Sequence, residues 1–217
     1  MKPIAREDAA RVICERLARR PKLGRDELSA RSLARALGQT TGFLYHHWGS
    51  LDAFLLEVSG LGWMMLADAL VEAFARDGDA RAVPAAYVTF AARRPALYWL
   101  IAERPMADRA VAALMRESGA LPSHAAWVRV GELLANATPS MTPARFRAMH
   151  AAVHGLASQL LSGRLATLPD SRGRDALEVA LEIADEIGAA FFGPVSARST
   201  AERSPGRGRR AAFPPRR

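Results

Sequence analysis

The sequence predicts an all-α protein, and three observations support this prediction. Alanine and leucine dominate a chain of 217 residues that is 50% hydrophobic. Apolar residues recur every three or four positions, which is the spacing of one helical face, and no sustained two-residue alternation indicates a strand. Residues that start and stop helices, such as Ser, Thr, Gly and Pro, separate these segments. We therefore expect an N-terminal three-helix unit followed by a larger helical body.

The first two helices are predicted on either side of a linker at 21–26. The first spans about 4–19 and is amphipathic. Ser29 is placed to cap a short second helix, which ends near Leu37. Gly38 follows and suits the left-handed conformation that commonly closes a helix. The apolar face of the first helix is formed by Ala9, Val12, Ile13 and Leu17.

The third helix is predicted to be short and the fourth long. Thr40 or Thr41 can cap the third helix, and Gly49 ends it. Ser50 then caps a fourth helix that runs to about residue 75. A small core under the second and third helices is expected from Leu33, Leu37, Leu44 and Trp48.

The rest of the chain predicts six more helices and a tail. Pro, Gly and Asp separate the helices, which are expected at about 83–94, 95–103, 106–117, 123–136, 143–163 and 174–192. From residue 194 on, Arg, Ser, Pro and Gly dominate, which predicts a disordered basic tail. We therefore divide the chain at 1–50, 51–193 and 194–217.

The charge changes sign along the chain. Residues 1–50 hold ten Lys and Arg against five Asp and Glu, a net +5, whereas residues 51–192 hold 13 against 16, a net −3. Residues 193–217 carry a net +6. A basic first quarter on a mildly acidic body indicates an anionic partner for that quarter, and nucleic acid is the first choice.

Cysteine content and hydropathy indicate the cellular compartment that we expect for the protein. Cys14 is the only cysteine, which excludes an internal disulfide and fits a reducing cytoplasm. No apolar run follows Met1, so we expect no secretory signal. Stretches free of charged residues, such as 148–163, fall short of the ~20 residues of a membrane span.

The third helix has an unusual composition for a packing helix. The short side chains of its first turn are suited to the major groove of DNA, where they can reach base edges. Gly42 lets the backbone approach the bases closely. Tyr45 and His46 follow one turn later, where phosphates flank the groove. The start of the fourth helix adds free N–H groups for one more phosphate. An ordinary helical hairpin in an all-α core is the alternative.

Residues about 5–55 resemble the DNA-binding domain of the TetR family of bacterial transcriptional regulators. The matching positions are Leu33-Ala34, Leu37-Gly38, Thr40, Gly42, Leu44-Tyr45, His47-Trp48, Ser50 and Phe54. The resemblance implies a helix-turn-helix domain at 1–50. Its implied contacts with DNA bases and phosphates are Ser29, Arg31, Thr40, Thr41, Gly42, Tyr45 and His46.

Two positions depart from the family pattern. Gln39 stands where the family usually has valine, and Leu51 stands where it usually has lysine. That lysine commonly meets a phosphate. Its absence should therefore weaken affinity for DNA more than sequence preference.

The resemblance also implies that 51–193 binds a ligand and forms a homodimer. The segment Val153-His154-Gly155-Leu156 resembles a Trp-x-x-x-His-Gly-Leu motif of one TetR subgroup, with His150 in the tryptophan position. The last two helices are apolar on more than one side, which predicts a four-helix interface between two copies. We expect this interface to contain Val153, Leu156, Leu160, Leu177, Leu181, Ala184 and Ile187.

Aromatic and methionine residues in the middle of the chain are candidates for lining an apolar ligand pocket. They are Trp63, Met64, Phe90, Tyr98, Trp99, Met106, Met115 and Trp127, with His150 and His154 beside them. The simpler interpretation is ordinary core. His150 and His154 share a helical face but have no Glu or Cys ligand placed beside them, so we expect neither a metal nor another cofactor.

These observations predict a homodimeric, ligand-responsive repressor that binds a palindromic operator in double-stranded DNA and is released by a small apolar ligand. An activator or ligand-blind regulator of the same fold is one alternative. An all-helical binding protein or enzyme without DNA contact is another, but no catalytic arrangement stands out in the sequence.

Overall fold

The computed structural model describes residues 4–24, 26–105, 107–121, 123–167 and 173–193. Every regular element within these ranges is helical, which confirms the all-α prediction. The predicted tail at 194–217 and Met106 lie outside the described residues. The helices are α1 (Arg6–Ala18), α2 (Ala30–Leu37), α3 (Thr41–Trp48), α4 (Leu51–Asp77), α5 (Ala82–Arg93), α6 (Pro95–Tyr98), α7 (Asp108–Ser118), α8 (His124–Ala137), α9 (Pro143–Leu161) and α10 (Ala176–Phe192).

The helix predicted at 95–103 is present, but its second half is π-helical. Residues Trp99–Glu103 form this π turn, and the backbone N–H of Arg104 donates to the carbonyl of Trp99 at 2.8 Å. The turn packs closely on α4 at Gly62, where an added Cβ would lie 2.6 Å from Cγ2 of Ile101. A glycine on α4 therefore makes room for the wider turn. A short 3-10 turn, Leu165–Thr167, follows α9.

Helices α1 to α3 and the first turns of α4 form an N-terminal unit around a small core. Leu33, Leu37 and Leu44 are buried as predicted, whereas Trp48 is only half-buried. The indole N–H of Trp48 donates to Glu57 on α4 at 2.6 Å, which ties the end of α3 to the helix that follows. Since α4 is one continuous helix of 27 residues, it connects this unit rigidly to the body.

In the body, α5 lies between α4 on one side and α9 and α10 on the other. Its side chains Tyr87 and Phe90 are buried. The approach of α10 to the start of α5 is close, because a Cβ added at Gly188 would lie 2.8 Å from the carbonyl oxygen of Arg81. By contrast, α7 lies at the outside of the bundle, and none of its described residues is buried.

Among the described residues, α4 is the one helix long and apolar enough to cross a membrane by length and composition. Half of its most apolar window is buried inside the fold. The core helix of a globular protein reaches the same apolar content, and α4 occupies that position here, between α1, α5 and α8.

Candidate functional site

The turn between α2 and α3 is built from local hydrogen bonds. The hydroxyl of Ser29 accepts from the backbone N–H of Ser32 at 3.3 Å and so caps α2. Gly38 adopts the left-handed conformation, with a φ of 67°. The backbone N–H of Gln39 then donates to the carbonyl of Ala34 at 2.8 Å, which closes the helix. These bonds fix the angle at which α3 leaves α2.

Helix α3 buries Leu44, packs Phe43 and Trp48 partly against the core, and exposes its remaining face. Leu44 is fully buried, whereas Tyr45 is 51% exposed. Thr41, Gly42 and His46 are also exposed, so the residues implied to contact DNA lie on the uncovered part of a short helix. Thr40 occupies the cap position of α3 as predicted, but its side chain makes no capping hydrogen bond. The hydroxyl of Thr40 is therefore available to a partner.

The start of α4 combines a capped terminus with an apolar residue. The hydroxyl of Ser50 accepts from the backbone N–H of Ala53 at 3.1 Å. Leu51 is half-buried and packs against the hydrophobic core. This position, which commonly carries lysine in the TetR pattern, contributes packing here and offers no positive charge.

Two arginines of α2 carry exposed positive charge. Arg31 and Arg35 are exposed. The ion pairs within the described part of the chain include neither of them, whereas Arg20 of the preceding segment is paired with Glu27 at 2.9 Å. Arg31 lies in the first turn of α2, beside the Ser29 cap, so its guanidinium group is free to meet a phosphate.

Part of the predicted ligand pocket forms an aromatic cluster inside the body. The ring of His150 lies 4.1 Å from that of Trp127, and the Trp127 ring lies 5.1 Å from that of Trp63. This cluster joins α4, α5, α6, α8 and α9. Its rings belong to Trp63, Tyr87, Tyr98, Trp127, Phe146, His150 and His154.

The polar atoms of the aromatic cluster are hydrogen-bonded to one another. Tyr98 Oη lies 2.8 Å from His154 Nδ1 and 3.4 Å from Tyr87 Oη, and Tyr87 Oη lies 3.4 Å from His150 Nε2. Ser158 donates to the carboxylate of Glu103 at the edge of this network. The network satisfies polar groups that an apolar interior would otherwise leave unpaired.

Burial controls the protonation of the cluster. Desolvation by burial, together with the neighbouring His154, lowers the pKa of His150 to about 4. The pKa values of Tyr87 and Tyr98 are raised above the usual range, also chiefly by burial. At neutral pH His150 and both tyrosines are therefore uncharged, and the cluster is suited to an apolar ligand with a hydrogen-bonding group.

The space inside the cluster is small. A cavity of about 10 Å³ lies between Tyr87, Trp127, Val130, Met149 and His150, which is about the room for one water molecule. Binding of a larger molecule at this point requires side chains to move apart.

Four predicted pocket residues that the structure describes do not join the aromatic cluster, and one of them, Met64, is half-buried against the hydrophobic core. Phe90 is buried, and its ring lies 5.0 Å below the guanidinium of Arg94. Trp99 and Met115 are 41% and 44% exposed on the surface. The position of a residue on a helix does not by itself reveal which neighbouring helices its ring meets. Tyr87 and Phe146 belong to the cluster and were not predicted, although Tyr87 shares α5 with Phe90 at helical spacing.

The predicted dimer residues divide into two groups. Val153, Leu156 and Ala184 are buried within the single chain and have little surface to offer a partner. They face the chain's own core because α9 and α10 pack on each other and on α5. The half-buried members are Leu160, Leu177, Leu181 and Ile187.

The described residues hold no group of three or more His, Cys, Asp or Glu side chains that could bind a metal ion. His150 and His154 lie close together, with ring centroids 6.1 Å apart, but their other neighbours are aromatic rings and tyrosine hydroxyls.

Comparisons with known proteins establish the fold. No family model matches the sequence, and no curated protein matches it. A protein of unknown function from Rhodococcus sp. RHA1 has a similar structure, with a TM-score of 0.57 and 24% identity over 88% of this chain and 100% of that one. SCO4313, described as a candidate regulatory protein, has a TM-score of 0.56 and 17% identity over the same shares. The chain therefore has a helical fold that also occurs in a protein described as regulatory.

Proposed function

We propose that the chain is a DNA-binding transcriptional regulator of the TetR type. The observation that carries the proposal is α3, a helix of eight residues that buries only Leu44 and leaves Thr41, Gly42, Tyr45 and His46 uncovered. Phe43 and Trp48 also pack against the core, and the surface formed by the four uncovered residues is free for another molecule. The similarity to SCO4313 supports a regulatory role.

The surroundings of α3 favour DNA as that molecule. Arg31 and Arg35 supply unpaired positive charge on α2, the helix that precedes α3. Phosphate contacts from such cations set orientation and affinity, whereas base contacts from the first turn of the recognition helix set sequence preference. In this proposal Thr40, Thr41 and Gly42 approach the bases, and Tyr45 and His46 approach the backbone.

A homodimer is part of the proposal because one short helix reads few base pairs. Two copies related by a two-fold axis read half-sites about one DNA turn apart. The half-buried apolar residues of α9 and α10, Leu160, Leu177, Leu181 and Ile187, are the remaining candidates for this interface. The protein would act on a palindromic operator in the cytoplasm.

We propose further that the protein is a repressor and that a ligand bound in the body releases it from DNA. The aromatic cluster connects α4, which begins in the N-terminal unit, with α8 and α9. A ligand that opens this cluster shifts α4 and hence the spacing of the two α3 helices. It must bind the released state more tightly than the DNA-bound state.

Binding to DNA tests the proposal directly. We expect fluorescence anisotropy to show sequence preference over random DNA at about 0.15 M salt, where nonspecific contacts are weakened. The double variant Thr41→Ala, Tyr45→Ala should abolish it, whereas Asn136→Ala, an exposed and uncharged change on α8, should not. Equal affinity for selected and random DNA would exclude the proposal. A complex that resists apolar ligands would exclude only ligand release.

A further inference from the structure

A wide groove separates the N-terminal unit from the body. It has a volume of about 1100 Å³ and lies between the segment that connects α1 to α2 and a wall made by the π turn and the neighbouring ends of α9 and α10. This linker groove is defined by Lys22, Leu23, Trp99, Arg104, Leu161 and Leu177. None of the residues around the small cavity of the aromatic cluster contributes to it.

The body wall of the linker groove is apolar and exposed. Trp99 is 41% exposed and Leu161 is 36% exposed, and Leu177 is half-buried beside them. Large apolar side chains that converge on one concave surface are typical of a ligand site rather than of a solvated face. The π turn places Trp99 on this wall, and such turns are frequent at functional sites.

The rim of the linker groove carries positive charge. Lys22 is exposed and takes part in no ion pair within the described residues. Arg104 donates to Asp52 at 2.5 Å, and its side chain is 20% exposed. The one acid of the groove, Glu103, accepts a hydrogen bond from Ser158. An apolar wall beside an unpaired lysine, and beside an arginine that shares its charge with Asp52, is complementary to a molecule that has an apolar body and an anionic end.

We propose that the linker groove binds an amphipathic carboxylic acid. Its apolar part lies on Trp99 and Leu161, which are not among the proposed dimer residues, and its carboxylate lies at the rim that carries Lys22 and Arg104. The carboxylate competes with Asp52 for the guanidinium of Arg104. Since Asp52 is in the first turn of α4, binding loosens the contact between that turn and the body. The effect on DNA rests on the proposed function, whereas binding of the acid does not.

Decanoate, used below its micelle concentration, is a suitable probe, and decanol is its uncharged match. We expect decanoate to change the fluorescence of the protein without DNA, with Trp99→Phe removing most of this change. Decanol should bind about three- to tenfold more weakly than decanoate. The substitution Lys22→Met should weaken the binding of decanoate by a similar factor. Arg109→Met, an exposed cation of α7, is the matched control and should leave binding unchanged.

Three results would overturn the inference. They are equal binding of decanoate and decanol, a fluorescence change that persists in Trp99→Phe, and the absence of any decanoate effect, as expected if a second copy of the chain covers the groove. Failure of the proposed function is distinguishable. If the protein binds decanoate through Lys22 but shows no sequence preference on DNA, the proposal of the groove site stands and the proposed regulatory function fails.

Discussion

The hydroxyl oxygen of Tyr98 lies 2.8 Å from Nδ1 of His154, and this hydrogen bond joins α6 to α9 inside the body. Tyr98 has no exposed surface, so no water replaces the partner if the hydroxyl is lost. Tyr98→Phe should therefore leave His154 and Tyr87 each short of one partner. We expect the free energy of unfolding to fall by about 1–3 kcal/mol, measured by denaturant titration.

The exposed tyrosine of α3 provides the control. Tyr45 is 51% exposed, and Tyr45→Phe should change the free energy of unfolding by less than about 0.5 kcal/mol. If Tyr98→Phe unfolds at the same denaturant concentration as the wild type, the hydrogen bond between Tyr98 and His154 does not contribute to stability.

Acid should destabilise the protein through His150. Its pKa is 6.5 when unperturbed and about 4 in the fold, so the unfolded chain binds more protons between these values. The contribution of neutral His150 is complete above pH 6.5 and is lost as the pH falls toward 4. We expect the thermal midpoint to drop by a few degrees between pH 7 and pH 5. His150→Gln should reduce this drop, and an unchanged pH dependence would contradict the assignment.

Local chemistry explains why much of the N-terminal unit was predictable. The caps at Ser29 and Ser50 and the left-handed Gly38 depend on residues within four positions of each other, so the sequence displays them directly. The exposed face of α3 follows from the same local pattern, since the apolar residues Phe43, Leu44 and Trp48 are the ones that pack against the core. The TetR-like interpretation of that face remains a prediction.

The interior was less predictable because it depends on the rotation of helices about their axes. Phe90 and Tyr87 both lie on α5, but only Tyr87 turns toward His150. Trp99 begins the π turn that follows α6 and lines the linker groove. Neither outcome is visible in apolar spacing, which gives the period of a helix but not its neighbours.

Alanine substitutions at two glycines distinguish the effect of close packing on stability from the effect of helix propensity. A Cβ at Gly188 would lie 2.8 Å from the carbonyl oxygen of Arg81, which is backbone and cannot rotate away. Gly188→Ala should therefore destabilise the protein by about 1–3 kcal/mol. In Gly131→Ala the nearest atom is 3.7 Å away, on Phe146, and the gain in helix propensity should stabilise the protein by up to about 1 kcal/mol. Denaturant midpoints that move in the same direction would contradict this packing.

Gly42 tests whether the backbone of α3 approaches DNA. A Cβ at this position would meet only the hydroxyl of Thr40, at 3.5 Å, so Gly42→Ala should fold with unchanged or slightly higher stability. On the proposed function its added methyl lies between α3 and the bases, and affinity for the preferred DNA should fall about tenfold. Anisotropy titrations and thermal melts of the same sample measure the two effects. Undiminished DNA affinity would remove Gly42 from the interface.

A lysine at position 51, in place of Leu51, should increase the affinity for DNA. The side chain of Leu51 is half-buried against the core at the start of α4, beside the N–H groups that we expect to face a phosphate. In Leu51→Lys the aliphatic stem retains the packing while the ammonium reaches solvent. Affinity should rise for preferred and random DNA alike, because a phosphate contact carries no sequence information.

The salt dependence identifies the cause of that gain. One added phosphate contact should steepen the slope of log affinity against log salt by about one unit. Leu51→Met has similar length and no charge, so its slope should match that of the wild type. If Leu51→Lys binds more tightly with an unchanged slope, the new ammonium does not reach a phosphate, and the start of α4 lies away from the DNA backbone.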